Sequence, residues 1–419
     1  MPSKVGCHAG IHVGVCFAQA DNIVWVNTSG GNWSDDANWD PQHAPGASDT
    51  AIITSAGNYT VTLDVSTTVA GLVLGTTNAG STQILSINGQ TFTLSGLAVV
   101  NSSGQFDLSS GTFEGDTNSG GAIFDGTLTC SGGTLSGVLT FASNAVVNLI
   151  QAFSMPVAFN TLVLTNLGTV NWVNTDLQGT SAQIFNYGLW EAQTNNTFFG
   201  GNGGTTFNNF CVLRKSGGDR DSGSTDFDSQ TTFNNPGTVD CQVGQLAIGG
   251  AYTLAGGRLI FSINSSNNFG SLYLAGNATL TGALSANFAN GYSPVADTSF
   301  PLVSYGSETG IFTSLSLPHL SSGLIWQTNY GSTTFTLIVT SAPPTQLSVA
   351  MTEDGGTLSL TWNAIVGQTY QLQYTTNLAP ANWLNLGDTV TATNDTMTVS
   401  EAIGQNPQRF YRLVLVWLP

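Results

Sequence analysis

The pentapeptide Thr-Thr-Phe-Asn-Asn occurs twice, at residues 205–209 and 231–235, and a further Phe-Asn pair stands at Phe185-Asn186. The pairs are 22 and then 26 residues apart. That interval is the length of one coil of a β-solenoid, about 20 to 30 residues, and repeats of this size bury a core only by stacking on their neighbours. Stacking would set Phe185, Phe207 and Phe233 above one another inside, and Asn186, Asn208 and Asn234 above one another at a turn. Asparagine suits such a turn because it tolerates the left-handed conformation and can ladder its amide along the stack. Corners of the same kind recur at Asn166-Leu167-Gly168, Asn186-Tyr187-Gly188, Asn208-Asn209 and Asn235-Pro236-Gly237.

The rest of the chain agrees with stacked strands. No segment spaces its apolar residues by three and four over a useful length, whereas strict alternation is common, as at Tyr59-Thr60-Val61-Thr62-Leu63 and Leu358-Ser359-Leu360-Thr361-Trp362. Between residues 75 and 151 short apolar strands alternate with Gly/Ser corners, and Gly-Thr-Leu recurs at 126–128 and 133–135. Strands this short are not stable alone, and turns this frequent leave no room for helical crossovers. The chain is therefore expected to be all-β, with a parallel β-helix followed by a small β-sandwich. The expected organisation is a leader at 1–20, an N-terminal cap and first strands at 21–74, the solenoid at 75–340, a Pro-Pro linker at 341–345 and the sandwich at 346–419. Within the sandwich, Leu358, Leu360 and Trp362 alternate on one strand and Tyr370, Leu372 and Tyr374 on the next.

Charge narrows the partners. Seven Lys and Arg stand against 24 Asp and Glu, a formal net charge of −17, and Lys215 is the only lysine beyond position 4. Neither nucleic acid nor an anionic membrane surface suits a chain without a basic face. No apolar run of about 20 residues spans a bilayer. Residues 1–20 read as an export signal, with Lys4 at the start, a mildly apolar centre and Ala18-Gln19-Ala20 as the cleavage site, so the chain is expected to be secreted or held at the cell surface. Beyond residue 20 only Cys130, Cys211 and Cys241 remain, an odd and widely spaced set that is no disulfide framework.

Several segments resemble known families. Gly31-Asn32-Trp33, Asn38-Trp39-Asp40, Pro45-Gly46 and Asp49 resemble the entry segment of secreted bacterial β-helix proteins. Leu254-Ala255-Gly256, Leu274-Ala275-Gly276, Gly291-Tyr292-Ser293-Pro294, Gly310-Ile311-Phe312 and Trp326 resemble the closing part of autotransporter-type passengers. The last 70 or so residues, ending in Arg409-Phe410-Tyr411-Arg412, look like a fibronectin type III or immunoglobulin-like module. These resemblances imply a structural or adhesive extracellular protein whose partners are glycans or copies of itself. Trp33 and Trp39 would in that case either stack on a sugar ring or plug the open end of the solenoid.

Chemistry has one dense candidate. Asp219, Asp221, Asp226 and Asp228 alternate with Gly and Ser after Arg214-Lys215; such carboxylates either form a solvated, self-paired loop, with no cofactor, or wrap a hard cation, for which calcium is the candidate. The same cluster, with Arg220, is the kit of the alternative reading, a polysaccharide lyase or hydrolase. Five glutamates are scattered singly and only His43 and His319 lie beyond residue 20, which leaves no catalytic residue to name.

Overall fold

The computed structural model describes residues 21–416 apart from 78–79, 119, 152–154, 220–221, 255, 322, 343–345, 352–355 and 404–407. The segment 1–20, Asp221 with Arg220, and the Pro-Pro of the linker therefore lie outside the described residues. The chain divides into two compact units. The larger ends at Thr340, and the smaller begins at Ser341 and takes in Gly323–Ile325.

The larger unit is a parallel β-solenoid of about 10 turns. Each middle coil contributes three short strands. One coil comprises Leu177–Thr180, Gln183–Asn186 and Leu189–Ala192, and the next Thr197–Phe199, Thr205–Asn209 and Val212–Lys215. Every third strand pairs in parallel with its counterpart one coil on. The clearest case is the 13-stranded sheet, which runs in chain order from Gly31–Asn32 to Ser314–Ser316. Alternation decides the faces: in Thr197–Phe199 only Phe198 is buried, and in Gln183–Asn186 only Ile184 and Asn186 are.

Phe207 and Phe233 are register partners, with parallel rings 5.5 Å apart and both fully buried. The column continues to Tyr252, 5.9 Å beyond Phe233. Phe185 does not belong to it. Ile184 pairs with Phe207 and is buried, while Phe185 pairs with Asn208 and points outward, half-buried. A slip of one residue in a strand turns each side chain to the opposite face, so a Phe-Asn match in sequence is not a match in space.

The same correction applies to the asparagines. The buried ladder consists of Asn166, Asn186, Asn209 and Asn235, all fully excluded from solvent. Each Nδ2 donates to the next Oδ1, at 2.7, 2.8 and 2.6 Å, and its second N–H donates to a backbone carbonyl, of Leu189, Val212 or Thr238. Asn208 and Asn234 form a second ladder on the outer side, 2.9 Å apart. Asn186 therefore stacks on Asn209 and not on Asn208. The inner ladder ends at Asn235, whose Nδ2 has no partner, because Leu254 follows Thr253, the register partner of Asn234.

Aromatic packing and a returning strand lie at the two ends of the described stack. At the first coil Trp39 packs edge-on against Trp25 at 4.9 Å and Trp33 at 4.8 Å, and Trp33 reaches Phe92 at 5.5 Å. Trp33 and Trp39 are each 1% exposed, so neither ring is presented to solvent as a sugar platform; both pack into the core of the first described coil. At the far end Thr334–Ser341 returns antiparallel along Ser299–Thr309 and buries Phe335, Leu337 and Val339.

The smaller unit contains two antiparallel sheets. Thr357–Asn363 lies between Leu347–Met351 and Thr396–Ala402, and Thr369–Thr375 lies between Phe410–Val416 and two short strands. Leu360 and Trp362 from the first sheet and Tyr370 and Leu372 from the second share one core.

Candidate functional site

The strands Leu177–Thr180, Thr197–Phe199 and Thr225–Phe227 lie side by side on successive coils, with Leu177 opposite Phe198 and Phe198 opposite Phe227. Those three residues are buried, so the alternate positions must face outward. Gln178 is the register partner of Phe199, and Asp228 follows Phe227. These outward positions, with Asp176, Gln151 and Gln230, line an open groove of about 410 Å³. Phe199 is 44% exposed, a large apolar ring presented to solvent between polar groups.

Both carboxylates are fixed by backbone N–H groups. Asp176 accepts from Thr197 N at 2.9 Å through Oδ1. Asp228 accepts at its Oδ1 from Gly200 N at 2.8 Å, Gln230 N at 3.0 Å and the Thr231 hydroxyl at 3.0 Å. In each case the second oxygen is left to accept further donors. The groove thus combines one hydrophobic ring, two oriented acceptors and amides that both donate and accept. A second depression of about 340 Å³, lined by Ser81, Thr82, Ser102, Ser103 and Thr127 among others, has neither aromatic ring nor carboxylate.

The acidic run separates among these surroundings. Asp226 and Asp228 flank the buried Phe227 and point outward; Asp226 accepts from the Ser224 hydroxyl at 2.6 Å, and Asp228 belongs to the groove. Asp219 lies in the corner loop and accepts from Ser222 N at 2.7 Å. Asp221 lies outside the described residues. Among the described residues no group of three or more His, Cys, Asp or Glu side chains converges as a metal site. Strand alternation and the corner direct the three described acids, Asp219, Asp226 and Asp228, to different hydrogen-bond partners.

The two cations ahead of the run also part company. Arg214 faces outward and bridges coils through Asp240 at 2.9 Å and Glu191 at 4.0 Å. Lys215 turns inward and is fully buried. Its Nζ donates to Thr194 O and Asn195 Oδ1, each at 3.0 Å, and to Gly217 O. Burial brings its pKa down to about 8, against the opposing pull of Cys241, Asp219 and Asp226. Two of the cysteines are buried: Cys130, whose thiol is pushed up to about 12 by desolvation, and Cys241; Cys211 is exposed.

Sequence reasoning missed Asp176, Gln178 and Phe199. The available signal was the Phe198-Phe199 doublet, since an alternating strand can bury only one of two adjacent rings. No protein-family model matches the chain, and no curated protein is significantly similar to it in sequence.

Proposed function

We propose that the solenoid is a glycan-binding protein, structural or adhesive in role, that seats a segment of a neutral polysaccharide across successive coils in the Phe199 groove. The observation that carries this reading is the exposed Phe199 ring set among Asp176, Gln178, Asp228 and Gln230. A sugar ring offers an apolar face to stack on an aromatic ring, and its hydroxyls pair with carboxylate and amide groups. Two carboxylates and a chain charge of −17 favour an uncharged polymer over an acidic one. The parallel stack supports recognition of a polymer, because each coil repeats the groove's floor at the strand spacing of about 4.8 Å. In this reading the segment 1–20 directs export and the partner is an extracellular glycan.

The test is affinity electrophoresis through a panel of neutral and acidic polysaccharides, followed by calorimetry on any that retard the protein. At least one neutral polymer is expected to bind, and Phe199→Ala is expected to weaken it about tenfold, which corresponds to about 1.4 kcal/mol. Binding that is untouched by both Phe199→Ala and Asp176→Asn, or no retardation by any neutral polymer, would remove the groove from consideration. New reducing ends during incubation would favour the alternative considered above, a polysaccharide lyase or hydrolase.

A further inference from the structure

We propose that Lys215 and Asn195 are the two ends of an intramolecular isopeptide cross-link that staples one coil of the solenoid to the next. Asn195 follows the strand Leu189–Ala192, and Lys215 closes the strand one coil on, where it is the register partner of Ala192. The lysine Nζ lies 3.0 Å from Asn195 Oδ1 across 20 residues of chain. Lys215 is the one lysine outside the leader, and its side chain is spent inside the coil and not at the surface where lysines ordinarily lie.

The carboxamide is held at both of its polar atoms. Asn195 Nδ2 donates to Asp219 O at 2.8 Å and to the Ser222 hydroxyl at 3.1 Å, while Oδ1 accepts from the lysine. Gly218 closes over the pair with φ +79°. A Cβ there would stand 2.3 Å from Asn195 Oδ1, 2.8 Å from Lys215 Nζ and 2.9 Å from Asn195 Cγ. The nucleophile and the carbon it would attack therefore surround a single point, and glycine is the residue that leaves that point clear. Holding the two groups together converts a slow bimolecular aminolysis into an intramolecular one.

The reaction requires no oxidant. Neutral Nζ adds to Cγ, the Cγ–Nδ2 bond breaks, and one proton passes from Nζ to the departing Nδ2, which leaves as ammonia. One amide is exchanged for another. Burial weakens the proton on Nζ, against the opposing pull of Asp219 and Asp226. The product ties two coils covalently, so they cannot separate by local opening without breaking an amide.

Peptide mapping of the full chain by mass spectrometry tests this directly. The expected result is a branched peptide joining the Lys215 and Asn195 segments, lighter than their sum by one ammonia, with no tryptic cleavage after Lys215. Lys215→Arg keeps a cation among the same oxygens but has no competent amine, and is expected to show neither the branch nor the ammonia loss. Separate, unmodified Lys215 and Asn195 peptides from the parent protein would overturn the proposal. So would ammonia loss confined to the Asn195 peptide while trypsin still cleaves after Lys215, since that marks a succinimide, and so would ammonia loss that persists in Lys215→Arg.

Discussion

Asn209→Ala is expected to destabilise the solenoid by about 4 kcal/mol, whereas Asn208→Ala, its immediate neighbour, is expected to cost under about 1 kcal/mol. Asn209 is the middle of a buried ladder: it accepts from Asn186 Nδ2 and donates to Asn235 Oδ1 and Thr238 O. Truncation leaves an N–H above and a carbonyl oxygen below, each buried, and each such orphan costs about 1–3 kcal/mol. Asn208 sits on the outer ladder, where water can replace its bonds to Ile184 O and Asn234. Urea unfolding followed by tryptophan fluorescence gives the difference in midpoint. Hydrogen exchange localises it, and the loss of protection should centre on the coils containing Asn186, Asn209 and Asn235. Equal effects at the two positions would mean that the inner and outer ladders have been assigned to the wrong faces.

The second large effect is expected at Phe207. Its ring stacks on Phe233 and meets Trp190 and Phe227 edge-on, each at 5.1 Å, with no exposure to solvent. Phe207→Ala deletes a fully packed ring from a core one coil thick, for which about 4 kcal/mol is the usual order. Phe185→Ala removes the same atoms from a half-buried outward position and is expected to cost about 1 kcal/mol. The repeat motif alone makes these two phenylalanines equivalent. Comparable losses in stability would restore that equivalence and contradict the register in which Ile184, not Phe185, lies beneath Phe207.

These pairs of substitutions also mark where the sequence was legible and where it was not. The period was plain because the two pentapeptides lie in true register, Phe207 on Phe233 and Asn208 on Asn234. The phase failed at Phe185-Asn186 because the next coil offers two asparagines, and either can be matched to Asn186. The corner was the better guide: Asn166, Asn186 and Asn235 each stand two residues before a glycine, and the identical pentapeptides put Asn209, not Asn208, at the position of Asn235, with Cys211 in the glycine's place. The fully buried Trp33 and Trp39 could not be told from exposed rings by composition, since the choice depends on whether another coil lies above them. Strand alternation after the fact explains the acidic run, in which Phe227 faces in and its flanking aspartates face out. The groove had no motif to find. Asp176, Phe199 and Asp228 come from three coils, and only the stacking register brings them to one surface.

That register is the claim on which the groove, the ladders and the proposed cross-link all stand. Asp107, Thr129, Asn148, Asn171, Glu191, Arg214, Asp240 and Ile260 form one outward column in which each residue pairs with the next. Pulsed electron spin resonance on spin labels placed pairwise at Asp107 and at Asn171, Arg214 or Ile260, with the native cysteines replaced, measures the column directly. The account predicts distances that grow linearly with the number of coils, about 4.8 Å for each, to about 34 Å between Asp107 and Ile260. Distances that fail to scale with coil number, or that place Arg214 closer to Asp107 than Asn171 is, would contradict it.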